Sequence, residues 1–166
     1  MRVIASVVLS SLLVAPGLAG ATGPVEGRFW NGQWESSGAC GELHVSLEAV
    51  KFIKFTLQGT EQSTHYSGTI LSSEVKEGRV VIHGKLEEHR TSGLKVGQGE
   101  PTPFDTGWQP VTGTLTITIE GTQLPTDPYK VDVIVGALKF AGASPDVPEW
   151  LPGTQATVIL SSFGQH

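Results

Sequence analysis

Apolar and polar residues alternate one for one along most of the chain. In "ELHVSLE", Glu42 to Glu48, the residues Leu43, Val45 and Leu47 share one face while His44, Ser46 and Glu48 share the other. In "VTGTLTITIEG", Val111 to Gly121, the apolar face carries Val111, Leu115, Ile117 and Ile119, and Thr112, Thr114, Thr116 and Thr118 lie opposite. Successive strand side chains point to opposite faces, so a period of two predicts strands with one covered side. "HYSGTILSS" and "RVVIHGKLEE" read as two more strands, joined through "EVKEG" with Gly78 as the turn residue. In the second of them Val80, Ile82 and Leu86 face inward, and Val81, His83 and Lys85 outward. "VKFIKFTLQG" changes phase between Phe52 and Ile53, which predicts a bulge there. A helix over Leu47–Leu57 fits the spacing too, but neighbouring Phe, Ile and Thr favour a strand. "YKVDVIVGALKF" and "TQATVILSS" complete the set, separated by a proline-rich loop from Ala141 to Gly153. In the former, Val133 and Val135 read as inward residues.

The aromatic stretch "GRFWNGQWES", Gly27 to Ser36, holds an Asn-Gly pair, the strongest short hairpin signal because both residues tolerate positive φ. A two-residue turn at Asn31-Gly32 pairs Trp30 with Gln33, Phe29 with Trp34 and Arg28 with Glu35. Phe29 and Trp34 then share one face, and Arg28 and Glu35 form an ion pair on the other. About eight strands without a helical segment, with 21 Gly and 10 Pro to serve the turns, define an all-β chain. The expected fold is a single antiparallel β-barrel, with a β-sandwich as the alternative.

The first residues, "MRVIASVVLSSLLVAPGLAGA", follow the layout of a signal peptide: one basic residue, an apolar run and small residues at the exit. Residues 1–21 are therefore read as a leader and 22–166 as one domain, secreted to the exterior or, in a Gram-negative cell, to the periplasm. The apolar run is too short for a spanning helix, so no membrane insertion is expected. Net charge is −5 with basic residues scattered, which argues against nucleic acid as a partner. The only cysteine, Cys40, rules out an internal disulfide. It reads as a buried small hydrophobe, or else as one half of an intermolecular bridge.

Candidate chemistry is sparse. The histidines His44, His65, His83, His89 and His166 show no metal-ligand spacing. His83 and His89 read as solvated surface residues. Glu87 and Glu88 are adjacent on a strand and so point to opposite faces. Asp127 and Asp146 read as turn residues. There is no G-x-S-x-G, and the lone cysteine has no basic neighbour. No pattern calls for a metal or a cofactor. Aromatic residues in predicted loops are the strongest feature. Phe104 and Trp108 lie in the polar stretch Arg90–Pro110, and Trp150 in "SPDVPEWLPG". Such rings either cap the ends of the core or line the mouth of a pocket.

"NGQW", Asn31 to Trp34, resembles the G-x-W near the start of lipocalins and related calycin barrels, with Gly32 and Trp34 at the matching positions. The resemblance implies a tryptophan closing the barrel floor. Val111 to Phe140 is similar to a stretch of the YceI-like secreted barrels, matching at Val111, Gly113, Leu115 and Ile117. Those barrels bind isoprenoid lipids. Both resemblances imply a closed barrel with an apolar interior.

Together these readings point to a secreted barrel that binds a small hydrophobic molecule. Trp34, Leu115, Ile117 and Val133 would hold the ligand among the inward rows, with Val45, Leu47 and Val135 beside them and Trp108 or Trp150 at the mouth. A second reading is an extracellular effector or adhesion module that meets a protein partner through its aromatic loops. A core filled by its own side chains would favour it. A third is a barrel-fold cyclase or isomerase of secondary metabolism, whose catalysis would rest on pocket shape.

Overall fold

A computed structural model describes residues 24–125 and 131–163. The leader at 1–21, the turn at Asp127 and the end at His166 lie outside the described residues. Nine strands follow in order: β1 (Phe29–Ser36), β2 (Ala39–Leu47), β3 (Lys51–Gln58), β4 (Gln62–Lys76), β5 (Arg79–Lys95), β6 (Thr102–Asp105), β7 (Gln109–Gln123), β8 (Val131–Ala143) and β9 (Gln155–Phe163). All pairings are antiparallel. The order β4-β3-β2-β1-β9-β8-β7-β5 is closed by a β4–β5 ladder, giving an eight-stranded barrel in which each strand lies beside its neighbours in sequence. β6 stands outside the ring as a short flap paired to β5. No helix forms among the described residues. The long polar stretch is thus mostly strand, with β5 and β7 extending into it from either side.

The turn at Lys76–Arg79 follows the sequence: Glu77 (φ 51°) and Gly78 (φ 80°) both adopt the positive φ of a two-residue hairpin. Asn31-Gly32 does not turn. β1 runs straight through it, pairing Asn31 with His44 on one side and with Ser161 on the other. The turn comes at Ser37-Gly38 instead, with Gly38 at φ 82°. A local turn preference is overridden because continuing the strand forms two ladders and buries both Trp30 and Trp34. Phe29 and Trp34 accordingly lie on opposite faces, and Arg28 pairs with Asp132, not Glu35. Gly32 serves close approach: a Cβ there would lie 1.8 Å from the carbonyl oxygen of Ile159.

Four further expectations change. β3 has no bulge at Phe52, which faces outward against Phe29 at 6.0 Å while Ile53 and Phe55 point in. Register shifts occur instead at Ser67/Gly68, Ile70/Ser72 and Leu86/Glu88, and the last leaves both Glu87 and Glu88 exposed. On β8 the inward residues are Asp132, Ile134, Leu138 and Phe140, so Val133 is only half-buried and Val135 is exposed. The run V-D-V-I-V has apolar residues in both phases, and the two downstream residues Leu138 and Phe140 decide between them. Cys40 is exposed, because inward Gly41 and Leu43 set the phase of β2.

The interior is packed throughout. Near the upper end, Phe55 meets Trp34 at 4.9 Å, Phe140 at 4.8 Å and Tyr66 at 5.7 Å. The Trp34 indole N–H donates to the Thr56 carbonyl at 2.9 Å. The proline-rich loop folds over this end, burying Val147 and Leu151, and the Tyr66 hydroxyl donates to the Asp146 carbonyl at 3.0 Å. At the lower end Val25, Trp30 and Leu47 are buried, and the Trp30 indole donates to the Val25 carbonyl at 3.1 Å.

Candidate functional site

The six sequence-predicted ligand residues do not converge. Trp34, Leu115 and Ile117 face the barrel interior and are at most 1% exposed. Val133 points outward from β8. Trp108 and Trp150 are 42% and 49% exposed and sit at the upper end, the first just before β7 and the second in the capping loop. Fully buried inward rows such as Val45, Ile53, Phe55, Leu115 and Ile134 leave no surface that a water-sized sphere could touch. The inward rows are therefore a core in mutual contact.

Functional groups gather on the outer wall instead. A groove of about 370 Å³ crosses four strands and is lined by Glu42 and His44 (β2), Lys54 and Thr56 (β3), His65 (β4), Arg90 and Ser92 (β5) and Trp108. Phe55 and Tyr66 lie behind it. The ladders put these side chains in rows: His44 lies opposite Lys54, Thr56 opposite His65, and His65 opposite Arg90. Hydrogen bonds fix several of them. His44 Nδ1 bonds Asn31 Oδ1 at 2.6 Å, and its ring stacks on Phe29 at 6.1 Å. His65 Nδ1 bonds the Thr56 hydroxyl at 3.2 Å. Glu42 approaches His44 Nε2 at 3.6 Å. The Lys54 ammonium lies 5.4 Å from the Phe52 ring and has no carboxylate within 4 Å among the described residues.

Arg90 is tied to Asp105 of β6 by a forked ion pair. The guanidinium hydrogen bonds, followed by the Gly107 N–H at 2.8 Å, pull the Asp105 carboxyl down to about 2. Because Gly107 precedes Trp108, this latch sets where the indole begins. A carboxyl whose folded value lies below its unfolded one stabilises above the unfolded value and loses that contribution as pH falls. The latch should therefore loosen between about pH 4 and pH 2. Tryptophan emission should shift over that window, and the shift should be absent from Trp108→Phe. An unaltered acid transition in Asp105→Asn would separate Trp108 from the latch.

His89 and Asp146 also differ from expectation. His89 is half-buried, stacked on Tyr66 at 6.3 Å with Nε2 3.7 Å from Asp146. Asp146 is more than a turn residue. It accepts the Thr112 backbone N–H at 2.6 Å, which with its other contacts lowers its carboxyl value. Burial, then Asp146, pushes the Tyr66 phenol up to about 12. This cluster fastens the cap to the barrel.

A second groove of about 580 Å³ runs over β9, β1, β2 and β3, where Gln33, Glu35, Cys40, Glu42, Gln58 and Ile159 surround the backbone of Gly32 and Gly41. It contains no cationic side chain. Among the described residues no three His, Cys, Asp or Glu side chains meet as a metal site. Comparison of the chain with protein-family models, curated proteins and solved structures finds no match.

Sequence reading missed the wall because its residues are far apart in the chain and ordinary on any one strand. The available signal was the outward parity of His44, Lys54, Thr56 and His65. Only the register brings them together.

Proposed function

We propose that this protein is an exported binding module that engages its ligand on the outer wall beneath Trp108. The observation that carries this reading is the half-exposed Trp108 indole over a groove of hydrogen-bonding and cationic side chains. Tryptophan is costly to leave in water and is favoured where one face stays apolar and an edge is wet. Support for a ligand within the barrel is weaker, since a hydrophobic guest would have to displace Phe55, Leu115 or Ile117 from a filled core. The Gly32 and Trp34 match to lipocalins still supports a general binding role, carried here by the wall.

The test places wall against lumen. Soluble oligosaccharides and long-chain fatty acids are titrated into the protein and into its Trp108→Ala and Leu115→Phe variants. The reading expects binding that protects one exposed tryptophan from acrylamide, weakens about ten-fold or more in Trp108→Ala, and persists in Leu115→Phe. Binding lost in Leu115→Phe and kept in Trp108→Ala would return the ligand to the interior.

A further inference from the structure

We infer that the wall groove selects an acidic saccharide, its carboxylate held by Lys54 and a sugar face laid on Trp108. This rests on the wall-binding reading above and adds the chemical class of the ligand.

The charge pattern carries the inference. The chain as a whole is acidic, at −5, yet the groove gathers Lys54, Arg90, His44 and His65 against Glu42 alone, Asp105 being occupied by Arg90. Arg90 is spent on its latch, which leaves Lys54, its ammonium 5.4 Å from the Phe52 ring, as the groove's cation with no carboxylate within 4 Å among the described residues. Lys54 is exposed and open to an incoming anion, and a charge-assisted hydrogen bond to it is about twice as strong as a neutral one. His44, one strand over and directly opposite, is already engaged, Nδ1 by Asn31 and Nε2 by Glu42, so the anion falls to Lys54.

The remaining groups suit hydroxyls. Thr56, His65 and Ser92, on β3, β4 and β5, provide donors and acceptors along the groove, and Glu42 accepts only. A ligand bearing both hydroxyls and a carboxylate satisfies Glu42 and Lys54 together. A fatty acid has no donor for Glu42, and an acidic peptide carries its methylenes on flexible side chains, not as one flat face to set against the indole. The C–H face of a pyranose ring provides that flat apolar surface.

The experiment uses the secreted protein and three probes: a short oligouronate, the same oligomer with its carboxyls reduced to neutral alcohols, and a poly-glutamate peptide of similar charge. Calorimetry should show oligouronate binding that falls about ten-fold or more on carboxyl reduction or in Lys54→Met, and also in Trp108→Ala. Lys54→Met keeps the outward apolar stem, so thermal unfolding should match the parent. Equal binding of the reduced oligomer, still dependent on Trp108, overturns the acidic class while the wall reading stands. Poly-glutamate binding as tightly as the oligouronate, with Trp108→Ala unaffected, overturns the saccharide. No binding of any probe overturns the inference as stated.

Discussion

Gly41→Ala should abolish the cooperative unfolding transition that the parent protein shows on heating. Gly41 is an inward position of β2 directly opposite Trp34 on β1. A Cβ there would lie 1.7 Å from the Thr56 carbonyl oxygen and 2.7 Å from the Trp34 indole nitrogen. That carbonyl is also the acceptor of the Trp34 N–H, so the methyl group would strike both members of one hydrogen bond. Neither can yield cheaply. Thr56 is held in the β3–β4 ladder, and Trp34 is locked between Phe55 and Phe140. Relief requires β2 and β3 to part by more than an ångström, which opens the aromatic cluster to water. Loss of packing around one large core aromatic alone costs about 3–5 kcal/mol, against a typical total stability of about 5–15 kcal/mol. Gly38→Ala is the control: it has open space around it and only a positive φ to strain, so it should cost about 1 kcal/mol. Far-ultraviolet circular dichroism on heating checks both. Matching melting points for Gly41→Ala and Gly38→Ala would show that β2 and β3 separate freely here.

The same position shows what the sequence could and could not tell. The row Leu115, Ile117 and Ile119 is unambiguous because only threonine fills the other phase, and in Val80, Ile82 and Leu86 the single outward Val81 does not change the phase; all six are buried. The barrel class follows from such rows. Phase was misread where both parities were apolar, as in V-D-V-I-V, or where an aromatic belonged outside, as with Phe52. The Asn-Gly pair misled for another reason. Its turn propensity is worth little beside two ladders, and Gly32 is required by the close backbone of β9, a neighbour more than a hundred residues away. The candidate site was the least legible part. Trp108 stood out as a loop tryptophan, but its neighbours His44, Lys54, His65 and Arg90 each look like solvated strand residues. Only the register of the β2–β3, β3–β4 and β4–β5 ladders sets them side by side.

Arg28→Ala should be the second large loss, and it tests the other end of the barrel. Arg28 and Asp132 form an ion pair whose side chains are 10% and 4% exposed. The guanidinium also donates to the carbonyls of Pro24 and Ser162, both at 3.2 Å, and lies 5.3 Å from the Trp30 ring. One side chain thus joins the segment before β1 to β8 and β9 and covers the tryptophan that seals the lower end. Removing it takes the Arg28 guanidinium away from the buried Asp132 carboxylate, a change that costs about 3–5 kcal/mol in comparable buried pairs. The pair itself need not stabilise by that amount, because desolvating both charges offsets most of their attraction. Arg28→Met combined with Asp132→Leu should therefore recover most of the stability that either single change loses. Urea unfolding of the parent, Arg28→Met, Asp132→Leu and the combined variant measures this as a double-mutant cycle. If each single change costs under about 1 kcal/mol, as exposed ion pairs do, water reaches the pair and the lower seal is made by Val25, Trp30 and Leu47 alone.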